Sequence, residues 1–111
     1  MHILKDPGES MNRLGLEANV IQDIIEVISR FEKVSKVVVF GSRAKGTYKK
    51  YSDIDICLFG DVDIFEAQKI KSTIDELNII YEVDVVSYDT ITNALLCEHI
   101  DRVGVVVYDR G

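Results

Sequence analysis

Two acidic residues separated by one position, Asp53 and Asp55, follow a glycine–serine turn, Gly41-Ser42, after a short polar segment. Side chains at i and i+2 of a strand point to the same face, so both carboxylates can address one ligand. Their Cα atoms would lie roughly 6–7 Å apart, and carboxylates at that separation can converge on two Mg²⁺ ions about 3.5–4 Å apart. Mg²⁺ prefers oxygen ligands, keeps some of its water and completes its shell with substrate phosphates. Upstream, Val37-Val38-Val39-Phe40 reads as a buried strand, and Gly41 ends it where the backbone must turn without a Cβ in the way. Ser42 is then placed to cap a short helical turn whose free N–H groups suit a phosphate. A phosphate cradle beside a paired-carboxylate metal site meets the requirements of nucleotidyl transfer.

A third carboxylate is expected from a neighbouring strand. Asp84, in Glu82-Val83-Asp84-Val85-Val86, is the best candidate, being an acid set between valines. Glu82 shares its face and competes for the role, but it stands near the start of the strand. Arg43 directly follows Ser42 and is the expected contact for a triphosphate, offsetting charge that develops on leaving pyrophosphate. Lys45 and the Lys49-Lys50 pair read as solvated charges. Asp61 and Asp63 repeat the spacing of the acidic pair, but they follow Gly60 at a helix entrance and read as turn and cap residues. Two lookalikes fail. Gly41-x4-Gly46-Thr47 has P-loop spacing without the lysine, and Asp53-x-Asp55-x-Cys57 opens like a calcium loop without its glycine. His2 and His99 are isolated; His99, near a helix C-terminus, reads as a surface residue compensating the helix dipole.

Periodicity supplies the elements that must position these groups. From about Glu17, Ile21, Ile24, Ile25, Ile28 and Phe31 recur at steps of three and four, predicting a core-facing helix. Strands are predicted over 36–40, 53–59, 81–87 and 105–108, with Ile54, Ile56 and Leu58 turned to the core. A second helix is predicted over 64–77, and a third opens near the caps Asp89-Thr90, runs to about Arg102 and ends with Gly104 as a C′ residue. The alternation of helices and strands predicts an α/β (α+β) fold with a single small mixed four-strand sheet and helices packed on it. Residues 1–15, with the only proline, read as a flexible N-terminal arm in which Met11 is an alternative start; residues 16–111 form the domain.

Composition narrows the class. A chain of 111 residues suits one domain with a modest core. A net charge of −6 provides no diffuse basic surface, so direct nucleic-acid binding is not expected. Cys57 and Cys97 lack metal-ligand spacing and read as reduced, buried thiols of a cytoplasmic protein. No apolar run approaches the ~18 residues of a membrane span, and no membrane partner is expected.

Gly41-Ser42 with Asp53-x-Asp55 resembles the signature of the DNA polymerase β nucleotidyltransferase superfamily, over roughly residues 16 to 108. Its length is similar to that of the minimal nucleotidyltransferases, the MntA-type antitoxins paired with HEPN-domain toxins. The resemblance implies a polymerase-β-like fold with ATP as substrate, its phosphates over Gly41, Ser42 and Arg43. It implies two Mg²⁺ ions held by Asp53, Asp55 and Asp84, with Asp84 also the general base. The implied acceptor is a tyrosine hydroxyl of a HEPN toxin encoded by an adjacent gene. Neutralisation by docking alone, or transfer to a small molecule, stays open. A four-strand sheet with exposed edges leaves a nucleotide site open on one side, so a partner or a homo-oligomer is expected to complete it.

Overall fold

The computed structural model describes residues 13–111. His2, Pro7 and the alternative start at Met11 lie outside the described residues. Of the expected arm, residues 13–15 are among those described, and Leu14 there is buried in the core beside Leu16 of the domain.

Helix α1 (Ala18–Ser29) buries Val20, Ile21, Ile24, Ile25, Val27 and Ile28. Glu17 at its N-cap makes no side-chain capping bond, so packing of the apolar stripe holds the helix in place. Each such side chain contributes about 1.5–3 kcal/mol when fully buried. Strand β1 (Val34–Phe40) leads into the five-residue helix α2 (Gly41–Lys45). Strand β2 (Ile54–Gly60) is followed by α3 (Ile64–Asp75), where Asp63 caps the first turn by accepting the Glu66 N–H at 2.8 Å. Strand β3 (Val83–Ser87) runs into a 3₁₀ turn at Tyr88–Thr90.

Helix α4 (Ala94–Val103) starts later than the Asp89-Thr90 caps suggested. Those two residues sit in the 3₁₀ turn, and Asn93 caps α4 by accepting from the Leu95 and Leu96 amides. Gly104 is the C-cap of α4 rather than the C′ residue expected, and with a φ of −59° it makes no use of a glycine's left-handed conformation. Its missing Cβ serves space instead, since one would crowd the Ile100 carbonyl and the Val38 side chain. Strand β4 (Val105–Asp109) completes the sheet.

The sheet is mixed, with strand order β3-β2-β1-β4. Central β1 runs antiparallel to β2 and β4, while β2 and β3 are parallel. Parallel neighbours need a crossover, and α3 supplies it. On one face Ile54, Ile56, Leu58, Val37, Val39 and Val83 meet α1 and α3 in the main core. On the other, Val38, Phe40, Cys57 and Ile100 of α4 form a second, smaller cluster. Because strand side chains alternate, Asp55 and Asp84 fall on this second face, beside α4.

Candidate active site

The register of the parallel pair sets Asp55 directly beside Asp84. On the other flank Asp55 pairs with Phe40, the last residue of β1, so Gly41 arrives at its carboxylate. Gly41 has a φ of +73°, and an added Cβ would overlap Asp55 Oδ2. The glycine is therefore required twice, for its backbone conformation and for the approach. Gly41→Ala is expected to cost about 1–2 kcal/mol of stability through the left-handed φ alone and to push the Asp55 carboxylate aside. Thermal melting checks the first effect and titration with a nucleotide the second.

Asp55 is half-buried, whereas Asp53, just ahead of β2, and Asp84 are exposed. The Asp55 carboxyl is pushed up from 3.8 to about 6, first by burial, then by the charges of Asp84 and Asp53 and a hydrogen bond with Asp84. Asp84 thus acts on the Asp55 carboxyl more strongly than Asp53 does. Among the described residues no three acidic, imidazole or thiol side chains converge as a ready metal cage. The two-carboxylate nucleus nonetheless fits Mg²⁺, which takes one or two carboxylates and fills its shell with water and phosphate. A divalent cation there would also relieve the repulsion that lifts Asp55.

Glu82 is drawn away from this centre. It precedes β3, and its carboxylate accepts from Lys71 Nζ of α3 at 2.8 Å, a lysine that also binds Asp75 at 2.7 Å. Cys57 is two residues beyond Asp55 on the same face, but it is fully buried and burial pushes its thiol up to about 12. Such a thiol is inert as a nucleophile.

Two expectations for the glycine–serine segment and one for His99 are corrected. Ser42 is not an N-cap: α2 begins at Gly41, Phe40 occupies the cap position, and Ser42 lies in the first turn, its carbonyl accepting from the Gly46 and Thr47 amides. Arg43 does not face a phosphate. Its side chain is completely buried and makes five hydrogen bonds to the carbonyls of Leu14, Gly15, Lys50 and Ser52. The guanidinium lies between Tyr48 and Tyr81, 5.1 and 4.8 Å from their ring centroids. All five of its N–H donors are used inside the fold, which leaves none for a ligand. Lys45, two residues on, is the exposed cation of α2. His99 is not a helix-end surface residue either; it sits within α4, half-buried, and its Nε2 accepts the Gly41 N–H at 3.1 Å.

A carboxylate pair on parallel strands beside a glycine turn can hold a divalent cation next to a phosphate, and the comparisons with known proteins give the family. The chain belongs to the polymerase β nucleotidyltransferase family, whose profile, described as Polymerase beta, Nucleotidyltransferase, matches residues 22–111. A probable protein adenylyltransferase MntA of Haemophilus influenzae is 26% identical over 103 residues, covering 91% of this chain and 90% of that protein. The fold is similar to a toxin–antitoxin structure with AMP-PNP, at a TM-score of 0.58 and 26% identity over 82% of this chain and 72% of the other. It is also similar to a chain in the complex of tri-AMPylated Shewanella oneidensis HEPN toxin with MNT antitoxin, at a TM-score of 0.56 and 24% identity, covering 82% and 71%. No helix among the described residues is long and apolar enough to cross a membrane.

Proposed function

We propose that this chain is an antitoxin that transfers AMP from ATP to a tyrosine hydroxyl of a HEPN-family toxin. The observation that carries this reading is the cross-strand pairing of Asp55 with Asp84 directly under the Gly41 turn. The similarity to an MntA adenylyltransferase and to toxin–antitoxin complexes supports the choice of nucleotide and partner.

Gly41 and Ser42 would seat the triphosphate, with Lys45 the cation in reach of solvent at its end. Mg²⁺, held by Asp53, Asp55 and Asp84, would neutralise phosphate charge and steady the leaving pyrophosphate. Asp84, exposed at the rim, is the carboxylate that an incoming hydroxyl can reach. It would accept the tyrosine proton as the phenolic oxygen bonds to the α-phosphorus and the bond to pyrophosphate breaks. The open side of the sheet leaves room for a protein acceptor.

Intact-mass spectrometry on the toxin partner, incubated with this chain, ATP and Mg²⁺, tests the proposal. One AMP or more should appear on the toxin. Asp84→Asn should slow transfer roughly 10²–10⁴-fold, the usual worth of a general base, while Glu82→Gln leaves it nearly unchanged. A toxin that stays unmodified yet is neutralised in a stable complex would replace transfer by docking.

A further inference from the structure

Helix α4 packs on the second face of the sheet and reaches the corner where β1 turns into α2. From it His99 makes a long-range hydrogen bond to the turn itself. Its Nε2 accepts the Gly41 N–H at 3.1 Å, and its ring stands edge-on to Phe40, with centroids 6.1 Å apart and planes at 81°. An Nε2 that accepts leaves the ring hydrogen on Nδ1. Gly41 is also the residue whose Cα lies against the Asp55 carboxylate. The amide of a first helical residue has no partner inside its own helix, so its direction must be set from outside. Here an imidazole from a distant helix sets it, and the Phe40 contact holds that imidazole in turn.

We propose that His99 is a positioning residue for the nucleotide: by accepting the Gly41 amide hydrogen it locks the turn that carries the phosphates at a fixed approach to Asp55. This rests on the nucleotidyltransferase reading of the site, but not on the identity of the acceptor. It also divides labour within the turn. The Gly41 amide serves the fold, and the donors left for phosphate come from the residues after it.

The test uses the ¹⁵N-labelled chain with AMP-PNP and Mg²⁺, so that binding is read without turnover. His99→Phe keeps a ring against Phe40 and removes the acceptor. His99→Gln places an amide oxygen near the position of Nε2. The Phe variant should weaken AMP-PNP binding about tenfold or more, as expected when a binding turn is misplaced, with a moved and faster-exchanging Gly41 amide signal. The Gln variant should recover most of the affinity and the signal, a rescue that a purely structural defect would not give. Unchanged or tighter binding by a cooperatively melting Phe variant would overturn the role; tighter binding would mean that His99 competes with phosphate for the amide. Independently of any variant, absence of a through-bond coupling between the Gly41 amide nitrogen and His99 Nε2 in the wild-type chain would overturn it. Wild-type binding of AMP-PNP without transfer to a toxin would remove the transfer reading and leave the positioning role standing. No binding at all would remove both.

Discussion

Asp55→Asn should abolish nucleotidyl transfer and at the same time make the protein more stable at pH 7.5. The two effects have one cause. Asp55 is half-buried beside Asp84, and its carboxyl titrates at about 6 in the fold against 3.8 when unperturbed. A carboxyl with a raised folded value is neutral in both states below about pH 4, so it costs nothing there. Between pH 4 and 6 the unfolded chain ionises first, and the native state loses stability relative to it; above pH 6 the full penalty is present. A lift from 3.8 to about 6 corresponds to at most ~3 kcal/mol. Solvent screening of a partly exposed group reduces this to about 1–2 kcal/mol. Removing the charge should therefore raise the melting temperature at pH 7.5 by on the order of 5 °C, with the gap closing as pH falls below 4. If the pair holds Mg²⁺ as proposed, the cation should stabilise the wild-type chain and do so much less in the variant, since a ligand that binds only the native state adds to its stability. Transfer should fall roughly 10²–10³-fold or more, the usual cost of losing a charge-stabilising group. Parallel melting curves against pH, with and without Mg²⁺, decide the matter. A variant less stable than wild type at pH 7.5, or a gap indifferent to pH, would mean that Asp55 is not the strained member of the pair.

What could be read before the structure follows from the range of the forces involved. Strand alternation has a period of two, so Asp53-Ile54-Asp55 and the burial of Ile54, Ile56 and Leu58 were legible from a few adjacent letters. The same holds for the α1 stripe, whose isoleucines recur with the helical period. Asp63 as a cap and Asp84 in preference to Glu82 were argued from immediate neighbours, and the Lys71 ion pair gives the latter choice a physical basis. The parallel β2–β3 register that puts Asp55 against Asp84 is a tertiary property, set by the crossover through α3, and no local pattern carries it. His99 was missed for the same reason: a single histidine in a helix has no sequence partner 58 positions away. Asp89-Thr90 read as caps because both are good capping types, but a 3₁₀ turn absorbs them and the cap falls to Asn93 three residues later.

Arg43→Met should cost about 3–5 kcal/mol of folding stability. Beside Ser42, an arginine reads locally as a phosphate ligand; only the fold shows that its carbonyl partners come from two separate segments. Leu14 and Gly15 belong to the lead into α1, while Lys50 and Ser52 belong to the loop before Asp53. Tyr81, whose hydroxyl donates to Glu17 at 3.2 Å, closes the cage from the strand side. The guanidinium thus ties the start of the domain to the loop that presents the carboxylates. Methionine fills comparable length but leaves four carbonyls without their donor, that of Leu14 buried and the others part-buried, at about 1–3 kcal/mol for each group that water cannot reach. Lysine offers three donors from one point and no plane to lie between Tyr48 and Tyr81, so Arg43→Lys should recover little of the loss. Against a total stability of ~5–15 kcal/mol for a domain of this size, the shift in melting should be roughly 15 °C or more. A phosphate ligand behaves in the opposite way, since its removal weakens nucleotide binding and leaves the melting curve in place. Thermal melts of the Met and Lys variants in the absence of nucleotide, beside AMP-PNP titrations at low temperature, separate the two roles. An unchanged melt with lost AMP-PNP affinity would return Arg43 to the phosphate. A collapsed melt, with affinity following the folded fraction, would establish it as the clasp that holds the carboxylate loop in register.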